Sequence, residues 1–400
     1  MDRSISDFLS TEQIASIRRP IEDALTLPAL AFVDEGFYQL EVKKIYQKNW
    51  VATLFESDLP NTGDIKPVYI CEIPLLVVRG QDKKIRVFHN ICPYDGCLAV
   101  IDPLERRKNI VTPYHGWVYN LEGTLIKTPY WDGTREGNLK ALAGKQVNLV
   151  AVHCESFLNT VFINLSDHPE PFSDYIAPLF RAMGEYDLEN SGPGLDKDGK
   201  VYTSITTVTT NWKTLFENAC LNVLHENFVH AIYNASPEVP RIKEDGVASF
   251  HNVIDAKFMA LGYNRLDFQN TYPPIEAPHL GKDSAQEPER ETFGTLYPNF
   301  YVSASSQFIE VSYVLPMGPN KSESNVSYHF QRDVAIASKA IDERMAVVKG
   351  FLEASAEDGR IIEAVQKARK SPAYQQKFYA PFWDEMHYYF SNLVLDDLEK

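Results

Sequence analysis

Four hundred residues are more than one small core organises, and a 44% hydrophobic, 12% aromatic composition supplies enough apolar side chain for two packed domains. A formal net charge of −15 argues against nucleic acid or an anionic membrane surface as the main partner. Cys71, Cys92, Cys97, Cys154 and Cys220 are scattered and odd in number, so they supply no disulfide framework. Met1 opens into polar sequence without a signal-type segment. No apolar run approaches the roughly 20 residues of a membrane span, so a cytoplasmic protein is expected.

The chain up to about Glu35 reads as a polar arm, with helical patches near residues 11–25 interrupted by Pro20 and ended around Pro28. A second helical pattern over 37–49 has Leu40, Val42, Ile45 and Tyr46 at its apolar positions. From Trp50 to about Val152 the character changes to short β-like runs at 68–70, 75–78 and 84–88, which predicts an all-β domain. Strand pattern continues over 156–164 and again over 200–210, where Thr and Val dominate, with a helix over 171–188 and a loop at 191–194 between them.

Residues 211–230 read as one helix, with Leu215, Ala219, Val223 and Glu226 at helical spacing and no Gly or Pro to interrupt it. Further strands are predicted at 250–259, 299–303, 308–315 and 324–331, separated by polar stretches at 236–246 and 273–291. A helix follows over 342–369, and an aromatic helix over 381–393 closes the chain. The second half is a sheet gripped by helices, giving an α+β chain with divisions at 1–49, 50–165 and 166–400.

His225 and His230 close the 211–230 segment. Residues i and i+5 lie about 140° apart on an ideal helix, so both imidazoles reach one metal only if the helix bulges or ends after His225. Asp358, in the later helical pattern, would complete two histidines and one carboxylate, a facial set that leaves positions on Fe(II) open. The spacing alone fits equally well two satisfied histidines at a helix end and an acid on a solvated face.

The segment N-W-K-x3-E-N ending in H-x4-H, followed much later by E-D-x4-E-x2-Q, resembles the catalytic domain of the Rieske-type non-haem iron oxygenases, the ring-hydroxylating oxygenase α subunits. The likeness runs roughly from Phe37 to Leu393 and includes Tyr297-Pro298-Asn299 and Leu315-Pro316-Met317-Gly318-Pro319. It implies a Rieske β domain followed by a helix-grip (START/Bet v 1-like) domain on a large antiparallel sheet. It also implies a mononuclear iron held by His225, His230 and Asp358, and a trimeric assembly.

The family's β domain holds a [2Fe–2S] cluster on a Cys-x-His pair and a later Cys-x-x-His pair. Here Cys92 and His115 stand in ligand positions, but Tyr94 replaces a histidine and Thr112 a cysteine, although Pro113-Tyr114-His115-Gly116-Trp117 is intact. Such a centre needs two thiolates on one iron and two imidazoles on the other, so each iron would lose a protein ligand. Threonine offers a hard oxygen, and tyrosine, with a pKa of about 10, does not reproduce a neutral imidazole. His89 and Cys97 are near enough in sequence to be recruited to a rearranged cluster, but loss of the cluster is expected. The family's aspartate three residues before the first iron histidine, which bridges to a cluster histidine of the neighbouring subunit, is Asn222 here. An amide cannot stabilise a charged imidazole as a carboxylate does.

These residues lead to a mononuclear Fe(II) oxygenase acting with O2 on a small molecule, expected to be apolar or aromatic. Its electrons would come from an external ferredoxin or reductase, a paralogous α subunit in a mixed trimer, or an electron-rich substrate. The alternatives are an inactive homologue serving as partner subunit or small-molecule binder, and a conventional Rieske oxygenase with unusual cluster ligands.

Overall fold

The computed structural model describes residues 3–219, 224–231, 250–264, 278–283 and 286–400. The chain divides into two compact units, Lys48–Pro169 and the remainder, Met1–Gln47 with Glu170–Lys400.

The Lys48–Pro169 unit is built on β-strands, with short 3-10 turns at Glu56–Asp58 and Leu139–Leu142. Its strands are β1 (Val51–Phe55), β2 (Ile65–Ile70), β3 (Ile73–Arg79), β4 (Ile85–His89), β5 (Ile110–Val111), β6 (Val118–Tyr119), β7 (Leu125–Lys127), β8 (Ala151–Phe157) and β9 (Thr160–Asn164). They form a six-stranded sheet in the order β1-β9-β8-β4-β3-β2 and a small β5-β6-β7 sheet. Leu76, Val78, Phe88, Ile110, Trp117 and Tyr119 share one buried cluster, which ties the small sheet to the large one. The single run expected over 156–164 is a hairpin. Leu158 and Asn159 both take left-handed φ (45° and 57°), and the chain reverses there.

The second unit carries β10 (Ser191–Pro193), β11 (Thr203–Val208), β12 (Phe250–Asp255), β13 (Phe258–Asn264), β14 (Arg290–Leu296), β15 (Phe300–Ala304), β16 (Phe308–Pro316) and β17 (Ser322–Gln331). They form an eight-stranded sheet in the order β10-β17-β16-β15-β14-β13-β12, with β11 also paired to β17 and every pairing antiparallel. Strand β14 was not expected: Thr292-Phe293-Gly294-Thr295 carries too little aliphatic alternation to stand out. In β16 the period of two separates Ile309, Val311 and Tyr313, all buried, from Glu310, Ser312 and Val314, which line a cavity on the opposite face.

The helices that matter for the site are α1 (Glu35–Glu41), α2 (Phe172–Ala182), α3 (Trp212–Asn218), α4 (Ile341–Ala368) and α5 (Glu385–Glu399). α4 presents Leu352, Ser355, Ala356, Gly359 and Ile362 to the cavity, a stripe at helical spacing. The continuous helix expected over 211–230 is interrupted. α3 ends at Ala219, whose ψ of 115° is extended, and a short helix, Glu226–Val229, begins after His225. The break therefore falls before His225, not after it. No helix of the described residues is long and apolar enough to cross a membrane.

Candidate metal centre

α3 is fastened at both ends by polar side chains. The Asn211 side-chain Oδ1 accepts from the Lys213 amide at 3.0 Å, while the N–H2 of the same side chain donates to the carbonyls of Pro319 (2.9 Å) and Phe32 (3.3 Å). Gln366 of α4 accepts from the Asn211 amide and donates to Phe32 and Asn320. At the other end, Asn218 donates to Asp358 Oδ1 at 3.2 Å and lies 3.4 Å from His225 Nε2.

The expected trio comes together. Donor atoms of His225, His230 and Asp358 all lie within 4.8 Å of one another, and among the described residues no other trio of His, Cys, Asp or Glu does. Asp358 Oδ1 is 3.6 Å from His225 Nε2 and 3.5 Å from His230 Nε2. His230 is 5% exposed, and its Nδ1 meets Glu357 Oε2 at 3.1 Å. A carboxylate on the far ring nitrogen holds a ligating imidazole with Nε2 free for a metal. Burial pushes the Asp358 carboxyl up, opposed by His230 and His225. A divalent cation among two imidazoles and one carboxylate would satisfy all three, so these residues fit a mononuclear iron. Glu357 and Asn218 were present in the sequence patterns but carried no assigned role there. Only the three-dimensional placement of their side chains shows what they support.

Asp358 also lines a cavity of about 230 Å3 between β11, β15, β16 and β17 and helices α3 and α4. Residues 216–220 contribute Asn218 and Ala219 to the lining, and residues 297–308 contribute Tyr301 and Ser303. The stretch 250–263 contributes nothing among the described lining. Hydroxyls from Ser204, Thr206, Ser303, Ser312, Ser324 and Ser355 interrupt the aliphatic and aromatic walls.

Glu310 stands in the same lining, and burial pushes its carboxyl up to about 7 against the lowering effect of Ser312. A carboxyl raised in the fold from its ordinary value contributes stability below about pH 4.5 that is lost as pH rises through 7. Glu310→Gln is therefore expected to match the wild type near pH 4 and to exceed it at pH 8, by at most about 3 kcal/mol. Urea unfolding at the two pH values reads this out, and equal midpoints at pH 8 would show that the carboxylate is not desolvated.

The β unit presents a different picture at the four cluster positions. Thr112 is buried, and its Oγ1 accepts from the Trp117 amide at 3.0 Å. Tyr94, 48% exposed, stacks on Trp117 with ring centroids 4.7 Å apart. His115 Nδ1 lies 2.6 Å from Asp95 Oδ2. Cys92 is fully buried, burial pushes its thiol up, and its sulfur lies 3.9 Å from the Tyr119 hydroxyl. Two of the four donors a Rieske centre requires are missing, and neither oxygen that replaces them supplies equivalent chemistry. These residues do not fit the cluster. Asn222 lies outside the described residues.

Two family models match the chain: "Ring hydroxylating alpha subunit (catalytic domain)" over residues 184–399 and "Rieske [2Fe-2S] domain" over residues 49–142. The chain is 27% identical over 204 residues to the glycine betaine monooxygenase oxygenase subunit of Pseudomonas aeruginosa, spanning 51% of this chain and 44% of that protein. It thus spans less than half the length of that relative. With the chloroplastic choline monooxygenase of Atriplex hortensis the identity is 23%, over 92% of this chain and 77% of the relative. A crystal structure of a quaternary ammonium Rieske monooxygenase superimposes with a TM-score of 0.72 at 18% identity, covering 96% of this chain and 97% of the other. That likeness is one of fold.

Proposed function

We propose, for a chain that belongs to the ring-hydroxylating oxygenase α-subunit family, that it is an oxygenase working from a mononuclear iron without a [2Fe–2S] cluster of its own. The observation that carries this reading is the contrast between its two metal positions. His225, His230 and Asp358 keep a complete donor set, supported by Asn218 and Glu357. At the cluster position, Thr112 and Tyr94 are engaged by Trp117 and provide neither thiolate nor imidazole.

Iron bound by the trio would supply the activation of O2. The chain's own residues bind and place the substrate. The cavity beside Asp358 confines a small molecule, its hydroxyls orient polar atoms, and Tyr301, Val314 and Ile362 shield it from bulk water. This lining shifts the expected substrate from apolar or aromatic towards one of mixed character. The relatives' names concern glycine betaine and choline; at 27% identity or less they support a small-molecule substrate without fixing which. Electrons beyond the substrate's own would come from outside this chain, from a ferredoxin or reductase or from a cluster-bearing paralogous α subunit in a mixed trimer.

A second reading rests on the Rieske-domain match over 49–142 and on Cys97, whose carbonyl accepts from the Cys92 amide at 2.7 Å. Cys97 could join Cys92 in a rearranged cluster. Iron and acid-labile sulfide per chain, measured on anaerobically purified protein, separate the two. About one iron and no sulfide is the expected result; about three irons with two sulfides would replace it with a conventional Rieske oxygenase.

Cys92→Ala is expected to leave turnover with an external donor unchanged. Loss of activity in a folded Cys92→Ala variant would sink the cluster-free account.

A further inference from the structure

The substrate cavity holds an acid that the iron does not use. Glu310 lies on β16, an interior strand of the sheet, in register with Ser303 on β15 and Tyr328 on β17. All three side chains line the cavity. The Glu310 carboxyl has one hydrogen-bond partner among the described residues, the Ser312 hydroxyl at 3.3 Å. Among the described lining residues there is no Lys, Arg or His, and the other acid there, Asp358, belongs to the metal trio. A carboxylate withdrawn from bulk water with one weak hydroxyl partner is costly unless a countercharge arrives. Tyr301 and Tyr328 stand in the same lining, and aromatic rings suit a cation better than a second anion.

We propose that Glu310 is the specificity residue of this cavity and that the substrate presents an organic cation, a protonated or quaternary amine, to its carboxylate. A metal ion is a poor alternative occupant at Glu310, because one carboxylate and neutral hydroxyls make a weak donor set. A neutral polar substrate would leave the Glu310 charge uncompensated. The proposal rests on the reading of this cavity as the oxygenase's substrate cavity, but its test does not depend on turnover.

The test is calorimetric titration at pH 8 with tetramethylammonium, choline and benzyltrimethylammonium, on protein with and without added Fe(II). The neutral control is 3,3-dimethylbutan-1-ol, the carbon isostere of choline. At least one cation is expected to bind, and choline to bind about tenfold or more tightly than its isostere. Glu310→Gln is expected to bring choline and the isostere to within about threefold of each other. Since that variant is expected to be the more stable protein at pH 8, lost binding would not reflect unfolding. Failure of all three cations, equal binding of the isostere, or an unchanged preference in Glu310→Gln overturns the proposal. If cations bind through Glu310 but the wild type takes up no iron, the oxygenase reading fails and the cation site stands.

Discussion

His225→Ala, His230→Ala and Asp358→Ala are each expected to bring iron from about one per chain to near zero after gel filtration. Each removes one of three donors, and the two that remain leave most of the iron coordination to water. The three should be equivalent in iron content, because the donors converge on one point. Glu357→Gln is expected to behave differently. Its carboxylate holds the His230 ring by Nδ1 without reaching the metal position, so affinity should fall by about 10–100-fold while saturating Fe(II) restores occupancy. Competition with a chelator of known affinity distinguishes loss from weakening. Iron retained at wild-type affinity in Asp358→Ala would mean that the ion sits elsewhere, and the oxygenase reading would go with it.

How much of this was legible beforehand depended on whether a residue's role is set by its neighbours in sequence or by distant ones. The large sheet and α4 were readable because period-two and helical patterns are local, as in Ile309, Val311 and Tyr313. The letters of N-W-K-x3-E-N and E-D-x4-E-x2-Q could be recognised as a likeness but not explained. Their meaning is pairwise: Asn211 with Gln366, Glu217 with Arg369, Asn218 with Asp358, and Glu363 accepting from the Thr209 amide. Each pair joins segments about 140 to 155 positions apart, beyond any periodicity. Glu310 was invisible for a related reason. One acid in an alternating strand reads as a solvent-facing residue, and only the packing of α3 and α4 over that face turns the solvent side into a cavity. The break before His225 was missed because Leu215, Ala219 and Val223 keep helical spacing through it, and propensity gives way there to the demands of the tertiary fold.

The tie between α1 and α3 carries the other large effect. Lys213 and Glu41 are both fully buried, with Lys213 Nζ 2.5 Å from Glu41 Oε1, and Trp212 Nε1 donates to Glu41 Oε2 at 3.0 Å. The ammonium also lies 4.9 Å from the ring of Phe32 and 5.7 Å from that of Phe37. Burial pushes Glu41 up and Lys213 down, and each opposes the other's shift, so the pair stays charged only while both members are present. Glu41→Ala leaves an ammonium in an aromatic box with no counterion and strips Trp212 of its acceptor. It should destabilise the fold by about 3–5 kcal/mol, read as a large fall in the urea midpoint. Lys213→Met should cost a similar amount by stranding the carboxylate. The double variant Glu41→Leu/Lys213→Met removes both charges together and should recover much of the loss, since a packed apolar pair can replace a buried ion pair at little cost. This non-additivity distinguishes a coupled pair from two independent contacts. If the double variant were as unstable as the sum of the singles, the two side chains would be acting through packing alone. The anchoring of α3, and with it the placement of Asn218 beside Asp358, would then rest on Asn211 and Gln366.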